Sequence, residues 1–230
     1  MVKNAVTAAV VSEPAHATAP GKRPVAYRKP RAERWEQLLD AAGEVFYEKG
    51  YDAATLQEIA ERVGILKGSV YYYIKTKADL RDHLLLEVHH EGLSMIRERA
   101  ASGATSLDKL AAMIRGHVEF FCNNVAKTTV YLQELRRFDP VARTKLFGTH
   151  PYRDVFQDAI EQGQREGLIL PDLDPKLASQ AMLSSLNSVY HWYRSAHTFD
   201  TIADYYVTTT LRGHATDKGL QVLKTLGGAR

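Results

Sequence analysis

The stretch TLQEIAERVGILKGSVYYYIKTK, residues 55–77, decides the fold of this chain. Thr55 is followed three residues later by Glu58, and this pairing is the capping box with which many helices begin. The apolar stripe that follows stops at Gly64, a residue type that commonly ends helices. After a turn of three or four residues a further short helix begins near Lys67. Two short helices joined by a tight glycine turn describe a helix-turn-helix.

Helical periodicity continues on both sides of this stretch. From Pro30 onward the apolar residues recur at helical spacing, and no segment keeps the two-residue alternation of a half-buried strand. The sequence therefore predicts an all-α fold. The predicted helices outside the quoted stretch cover residues 31–49, 77–100, 106–122, 125–137, 151–166, 175–194 and 201–219.

The composition is that of a globular protein that needs no disulfide. With 230 residues, 45% apolar and 25% charged, the chain can form one large or two small domains around a substantial core. Cys122 is the single cysteine, which rules out an internal disulfide and fits a reducing compartment. Since no apolar run approaches the ~18 residues of a membrane span, we expect a cytoplasmic protein with no membrane partner. The start of the chain resembles a secretion signal only weakly, and we expect residues 1–26 to be a disordered extension.

A basic arm precedes the helix-turn-helix. Residues 21–34 carry six basic side chains against one acidic side chain, Glu33, although the net charge of the whole chain is only +3. Such an arm can enter the minor groove, as it does in other helical DNA-binding proteins. A solvated tail is the alternative, and the sequence leaves both open. The candidate DNA contacts in the arm are Arg28, Lys29 and Arg31.

The third helix sorts its side chains into two faces. In a helix-turn-helix this helix lies in the major groove, so its outward side chains must reach phosphates and base edges. Helical spacing places Val70 and Ile74 toward the core, with Tyr73 partly inward. The outward residues predicted to contact DNA are Lys67, Gly68, Ser69, Tyr71 and Tyr72, with Ser69 and Tyr72 assigned to base edges. A surface aromatic patch or an interface with a partner is the alternative.

Segments 55–65, 67–71 and 77–80 resemble the amino-terminal domain of TetR-family transcriptional regulators. Their pattern is close to T-x-x-x-I-A-x-x-x-G-x-x-x-G-x-x-Y-x-x-F-x-x-K-x-x-L, and the resemblance covers residues 31–81. Ile74 departs from it, because phenylalanine is usual at that position.

The resemblance implies how the protein works. Thr55 and Lys77 are expected to contact phosphates at the starts of the second and fourth helices, where helix N-termini favour anions. Tyr72 and Tyr73 stand where many relatives have histidines, a difference expected to alter operator preference. The implied partners are a double-stranded DNA operator, a small-molecule effector and a second copy of the chain.

Two copies are also needed on chemical grounds. A lone helix-turn-helix reads only a few base pairs, so discrimination requires two of them about one helical turn apart. In TetR-like proteins the last two long helices of each subunit form a four-helix interface. Here helix 175–194 is expected to bring small side chains to this interface, and helix 201–219 is expected to bring larger ones. The candidate interface residues are Ala181, Ser185, Ser188, Ile202, Tyr206 and Thr209, with an intramolecular core as the alternative.

The segment LNSVYHWYR, residues 186–194, places polar groups in a helix that otherwise buries apolar surface. A buried polar group without a partner costs about 1–3 kcal/mol, so these groups pair internally or meet a polar ligand. The segment resembles a stretch of a TetR subgroup that controls fatty-acid and sterol breakdown and releases DNA on binding acyl-coenzyme A thioesters. Ser188 and His191 depart from the subgroup pattern. The candidate ligand contacts here are Asn187, Tyr190, His191 and Trp192.

The middle helices carry further candidates for a small-molecule site, since aromatic and methionine walls with few polar anchors suit such sites. These candidates are Met113, His117, Phe120, Phe121, Tyr131, Arg136, Tyr152 and Phe156. Ordinary core residues are the alternative for most of them. For Arg136 the alternative is a solvated surface.

Other kinds of site have little support. His83, Glu87 and His90 share a helix face, but the sequence offers no fourth ligand, so we expect neither a metal nor a cofactor. Enzymatic signatures are missing. Two rival classes remain, an apolar-cargo protein and an enzyme that uses His117 or His191 as a base.

Together these observations predict a homodimeric, ligand-responsive transcriptional repressor. Residues 1–26 are expected to form a disordered basic extension, 27–76 a three-helix helix-turn-helix DNA-binding domain, and 77–223 a larger helical ligand-binding and dimerisation domain. The effector is expected to be an acyl-coenzyme A. The alternative is a TetR-like regulator of efflux or detoxification that responds to an apolar, drug-like ligand.

Overall fold

The computed structural model describes residues 30–149, 151–193 and 197–227. Over these ranges the regular structure is helical, apart from one isolated antiparallel bridge between Ile169 and Ala215. The all-α prediction is confirmed. No helix in these ranges combines the length and hydropathy needed to cross a bilayer. The helices are α1 Arg31–Lys49, α2 Leu56–Val63, α3 Lys67–Val70, α4 Lys77–Ala101, α5 Ser106–Asn123, α6 Val125–Leu135, α7 Pro140–Phe147, α8 Pro151–Arg165, α9 Pro175–Asn187, α10 Val189–Trp192, α11 Phe199–His214 and α12 Asp217–Gly227.

The first two helices begin and end where the local sequence predicts. Helix α1 ends at Gly50, which has φ 78°. Helix α2 begins at Thr55, whose side chain accepts a hydrogen bond from the backbone of Glu58 in a complete capping box. It ends at Gly64, which adopts the left-handed conformation with φ 73° and ψ 37°. A side chain at Gly64 would strain this turn, because only glycine adopts that conformation at little cost.

Helix α7 was not predicted. Its N-cap is Asp139, whose carboxylate accepts backbone hydrogen bonds from Val141 (2.9 Å) and Ala142 (3.0 Å). Pro140 occupies the first helical position, where its missing N–H costs nothing. The Asp-Pro pair was a usable signal for a helix start, but the apolar spacing that follows it is weak. For this reason no helix was predicted between residues 137 and 151.

Two long helices of the prediction are each divided in the structure. Predicted helix 175–194 is interrupted at Ser188, whose amide bonds to the carbonyl of Ser185 at 3.0 Å, the shorter spacing of a 3₁₀ turn. Predicted helix 201–219 is interrupted at Ala215, which is extended. Hydrogen bonds from Leu170 to His214 and from Thr216 to Leu168 hold this extended residue beside the connector after α8. Those partners are distant in sequence, so periodicity did not reveal them.

Two hydrophobic clusters organise the described helices. The first surrounds Phe46, Ile59 and Leu80, and it joins α1, α2 and the start of α4. It also includes Val130 from α6 and Phe147 from α7. The second cluster lies among α4, α5, α8, α9 and α11. Because α6 packs on α1 and α4, and α7 packs on α4, both helices contribute to the cluster that also holds the helix-turn-helix.

Candidate nucleic-acid interface and ligand cavity

An exposed row of side chains follows the turn at Gly64. Leu66 is 80%, Tyr71 is 52% and Tyr72 is 81% exposed. Val70 and Ile74, by contrast, are buried in the first cluster. The predicted division of this segment into an inward and an outward face is confirmed. The outward face presents two exposed tyrosines, each of which offers a hydroxyl and a flat aromatic ring.

The third tyrosine packs against α1 instead of facing outward. The ring of Tyr73 stacks on Trp35 with centroids 6.1 Å apart, and the guanidinium of Arg31 lies 5.9 Å from the Tyr73 ring. Arg31, a predicted DNA contact, therefore lies close to Tyr73, the residue that follows exposed Tyr72. Arg28 and Lys29, the other two predicted contacts of the arm, lie outside the described residues.

The side chain of Thr55 forms its hydrogen bonds within the N-terminal cap of α2. Its hydroxyl accepts a hydrogen bond from the amide of Glu58 at 3.2 Å and lies 2.9 Å from the carboxylate of the same residue, to which it donates. Lys49 also bonds to this carboxylate, and the hydrogen bonds from Lys49 and Thr55 lower the pKa of Glu58 to about 2. The Thr55 hydroxyl is therefore engaged inside the cap in the absence of DNA, and the phosphate contact of Thr55 stays a prediction.

Lys77 also faces inward. Its ammonium group donates hydrogen bonds to the backbone carbonyls of Tyr51 (2.8 Å), Asp52 (3.1 Å) and Ala54 (2.9 Å). An ammonium has three donors, so all three join the start of α4 to the loop between α1 and α2. The phosphate contact of Lys77 stays a prediction, and in this DNA-free structure its ammonium group is engaged with backbone carbonyls.

A cavity of about 230 Å³ is lined by residues of α4, α5, α6, α7, α8 and α9. Six of the predicted ligand contacts line it: His117, Phe120, Phe121, Tyr131, Tyr152 and Asn187. The sequence missed several polar residues of the wall: His89, Arg143, Arg153, Gln180 and Ser184. Arg143 lies on the unpredicted helix α7, and the others come together only through the packing of separate helices. Among the described residues of the wall, none is an aspartate or a glutamate.

The other six predicted ligand contacts do not line the cavity. Met113 and Phe156 are fully buried in the second cluster, so they are core residues. Arg136 is exposed just after α6. Tyr190, His191 and Trp192 lie on α10, beyond the interruption at Ser188 that turns the chain away from the wall. The predicted polar segment therefore contributes Asn187 alone to the lining.

Two histidine–tyrosine pairs contribute to the polar part of the wall. Nδ1 of His117 lies 2.9 Å from the hydroxyl of Tyr152, and Nδ1 of His89 lies 3.0 Å from that of Tyr131. Burial lowers the pKa of His117 to about 3 and also lowers that of His89. Burial raises the pKa of Tyr131 to about 12 and that of Tyr152 well above its usual range. All four groups are therefore uncharged near neutral pH, and they offer hydrogen bonds without charge.

The predicted dimer residues fall into two groups. Ala181, Ser185 and Thr209 are exposed on α9 and α11, and Ser188 is half-buried between α9 and α10. Ile202 and Tyr206 are 4% and 7% exposed and belong to the second cluster. The Tyr206 hydroxyl donates to the carbonyl of Ser185 at 3.1 Å, which fastens α11 to α9 of the same chain. These two are corrected to intramolecular core.

Comparison with known proteins covers both halves of the chain. Residues 38–84 match the family model of bacterial regulatory proteins of the tetR family, and residues 103–214 match that of the tetracyclin repressor-like C-terminal domain. The chain is 28% identical to the HTH-type transcriptional repressor KstR2 of Rhodococcus jostii over 79% of this chain and 91% of that protein. It is 27% identical to the fatty acid metabolism regulator protein of Bacillus subtilis over 76% of this chain and 91% of that protein.

Solved structures share the same architecture. A bacterial regulatory protein in the tetR family from Rhodococcus RHA1 superposes with a TM-score of 0.73, at 30% identity over 80% of this chain and 99% of that one. The ketosteroid transcriptional regulator KstR2 of Mycobacterium tuberculosis superposes with the same TM-score at 26% identity, over 82% of this chain and 98% of that one.

Proposed function

Since this chain belongs to the TetR family of bacterial transcriptional regulators, which are not enzymes, we propose that it is a repressor that binds a palindromic operator as a homodimer and is released by a small-molecule effector. The observation that carries the proposal is the outward face after Gly64, which is anchored in the first cluster by buried Val70 and Ile74, together with a separate cavity between the other helices. We propose residues 27–76 as the DNA-binding domain and residues 77–223 as the ligand-binding and dimerisation domain, acting in the cytoplasm where bacterial DNA lies.

Different residues of the outward face are assigned to the phosphates and to the base edges of DNA. Lys67 and Tyr71 are exposed and carry donors that suit phosphate oxygens, whose contacts set register without reading sequence. Ser69 and Tyr72 are assigned to base edges, and Arg31 to the neighbouring backbone. Gly68 has open space around its Cα, which permits close approach of the nucleic acid.

A dimer is needed because each copy supplies one recognition segment. The exposed residues Ala181, Ser185 and Thr209 give α9 and α11 a face of small side chains that helices of a second copy can approach closely. Exposed Leu177 and Tyr205, on the same two helices, add apolar area. We assign this face to the dimer contact.

The cavity supports an effector with a compact, mostly apolar part. Its volume of about 230 Å³ exceeds that of an engineered cavity of roughly 150 Å³ that holds benzene, and it is too small for a whole coenzyme A ester. An acyl-coenzyme A would therefore place its acyl group inside and its nucleotide outside. Relatives named for ketosteroid and fatty-acid regulation favour this effector class. An apolar, drug-like inducer of efflux genes is the alternative.

Helix α6 supports a route from the cavity to the DNA-binding helices. Tyr131 on α6 lines the cavity, and Lys127, one turn earlier, pairs with Asp40 on α1 and at 2.8 Å with Glu87 on α4. At Gly43 of α1 a Cβ would lie 2.9 Å from Cγ of Lys127. Because α6 lies this close to α1, a ligand that displaces α6 displaces α1 with it.

Helix α4 supplies the second connection. Val88 and His89 line the cavity, and Lys77 at the other end holds the loop before α2. A shift of α4 along its axis would move both recognition segments out of register with the major grooves. A coupling of about 1–3 kcal/mol between the sites would lower operator affinity roughly 5–150-fold.

A DNA-release experiment tests this function. The purified protein is titrated by fluorescence anisotropy with a duplex from its own promoter and with a scrambled duplex, at several salt concentrations. We expect preferential binding of the promoter duplex and, for about 6–10 phosphate contacts per dimer, a ~10³–10⁵-fold loss of affinity between 50 and 200 mM salt. Acyl-coenzyme A esters of increasing length should then release the duplex. Equal retention of both duplexes would refute the regulator, and release only by drug-like amines or dyes would favour the alternative effector.

A further inference from the structure

One buried nitrogen of the cavity wall has no hydrogen-bond partner. His117 is 2% exposed, its ring stacks on Phe121 with centroids 4.4 Å apart, and its Nδ1 pairs with Tyr152. Within the described residues, Nε2 of His117 meets neither donor nor acceptor. Leaving such a group unpaired costs free energy, so a site lined by it favours a ligand that supplies the missing partner.

Counting hydrogens identifies Nε2 as a donor. A neutral imidazole has one N–H and one lone pair. If Tyr152 donates to Nδ1, the phenol hydrogen is used and Nε2 carries the remaining N–H. If Nδ1 donates to the phenol, both the phenol hydrogen and Nε2 stay unpaired, since the described residues offer Tyr152 no other partner. The arrangement in which Tyr152 donates to Nδ1 leaves fewer unpaired groups. In that arrangement Nε2 carries an N–H, so the ligand must provide a hydrogen-bond acceptor for it.

Arg153 also has a buried donor that lacks a hydrogen-bond acceptor. Its Nε is fully buried and has no partner in the described part of the chain, although its terminal nitrogen bonds to Asp154 at 3.1 Å. A guanidinium nitrogen can only donate. Arg143 adds a second positive charge to the wall, and the described wall residues include no carboxylate; Asp154, which pairs with Arg153, is not among them. An oxygen acceptor with negative charge or strong polarity fits this surface.

We propose that the cavity recognises an apolar acyl compound through its carbonyl or carboxylate group, which accepts hydrogen bonds from Nε2 of His117 and from the guanidinium of Arg153. This inference rests on the proposed effector function and narrows it to a functional group. Phe120, Phe121 and Leu183 supply the apolar wall for the hydrocarbon part. A free fatty acid and an acyl thioester both carry an oxygen acceptor next to an apolar chain. The experiment below distinguishes which of the two is bound.

The probes are hexanoate, hexanoyl-coenzyme A and hexane, each measured by displacement of an apolar fluorescent dye from the full-length protein. For the native protein we expect one or both oxygen-bearing probes to bind about 10-fold or more tightly than hexane. The double variant His117→Phe, Tyr152→Phe removes both partners of the pair and leaves no orphaned hydroxyl. Arg153→Met removes the second donor. Both variants should lose the preference for oxygen while binding hexane as the native protein does.

Arg165→Met is the matched control, because Arg165 lies on the same helix, is 69% exposed and is absent from the cavity wall. It should keep the native preference. Near-ultraviolet circular dichroism checks folding, and if the double variant unfolds, Arg153→Met alone decides.

The outcomes separate this inference from the proposed function. If hexanoyl-coenzyme A binds and releases DNA but the variants keep the oxygen preference, the inference is overturned and the regulator stands. If hexanoate binds with the preference and the thioester does not, the recognition of the carboxylate stands and the acyl-coenzyme A effector fails. If the native protein shows no preference over hexane, the inference is overturned.

Discussion

The ammonium nitrogen of Lys77 lies 4.6 Å from the centre of the Tyr51 ring and donates a hydrogen bond of 2.8 Å to the backbone carbonyl of the same residue. The guanidinium of Arg81, one turn later on α4, lies 4.8 Å from that ring. Arg137, which follows α6, pairs with Asp52 at 2.8 Å. The loop between α1 and α2 is thus held by Lys77 and Arg81 of α4 and by Arg137, which follows α6, and both α4 and α6 contribute to the cavity wall.

This arrangement predicts that Lys77→Met acts through the loop and not through lost phosphate contacts. We expect a loss of about 1–3 kcal/mol in unfolding free energy, because three carbonyls lose a charged donor, and weaker operator binding. The dependence of log affinity on log salt should keep its slope, measured by anisotropy titrations. A phosphate contact would instead lower the slope by about 1 per copy. Lys145→Met, at an exposed lysine of α7, is the control.

The exposed tyrosine Tyr72 should matter for DNA and not for stability. Tyr72→Ala is expected to reduce the preference for the operator over a scrambled duplex by about 1–3 kcal/mol. Its thermal midpoint should stay close to native, because the side chain is 81% exposed. Tyr47→Ala, at a 48% exposed tyrosine of α1, serves as the matched control in the competition assay. An unchanged operator preference in the Tyr72 variant would remove this residue from base recognition.

The face of small residues on α9 predicts an effect on assembly. Ser185→Arg should shift the protein from dimer to monomer in sedimentation velocity, because a long charged side chain separates helices that must pack closely. Ser94→Arg, at an exposed serine of α4, should remain dimeric. A Ser185 variant that sediments like the native protein would place the dimer contact elsewhere.

A substitution of Ile202 tests whether this residue packs within the core of its own chain or in the dimer interface. Ile202→Ala should lower the unfolding free energy by about 2–5 kcal/mol, as truncation of buried aliphatic side chains does. Because Ile202 packs within its own chain, this loss should be the same at low and high protein concentration in urea titrations. A loss that grows on dilution would return Ile202 to the dimer interface, since the stability of a dimer depends on concentration.

The buried His117 predicts a pH dependence. Burial lowers its pKa to about 3 in the folded state, against about 6.5 in the unfolded chain. Between these values only the unfolded state binds the proton. The stability contributed by neutral His117 is therefore complete above about pH 6.5 and is lost as the pH falls toward 3. The double variant His117→Phe, Tyr152→Phe should lose less stability than the native protein between about pH 7 and pH 5 in urea titrations. Equal losses would show that other groups cause the dependence; His89 is present in both proteins.

The sequence allowed only part of the cavity wall to be predicted. The aromatic residues His117, Tyr131 and Tyr152 were predicted because aromatic walls with few polar anchors suit a small-molecule site. The arginines of the wall were not, because a charged residue on a helix is usually a solvated one. Arg143 and Arg153 reach the cavity only through the way in which α7 and α8 pack.

The sequence by itself determined the all-helical fold, the cap at Thr55, the glycine turn at Gly64 and the division between buried Val70 and exposed Tyr72. These features depend on neighbours within one or two helical turns, so spacing and residue type suffice. Only the tertiary structure decided that Lys77 turns inward, that Tyr206 is core and that His117 faces a cavity with an unpaired nitrogen. Each of those outcomes depends on a partner far along the chain, and local periodicity carries no information about which distant groups meet.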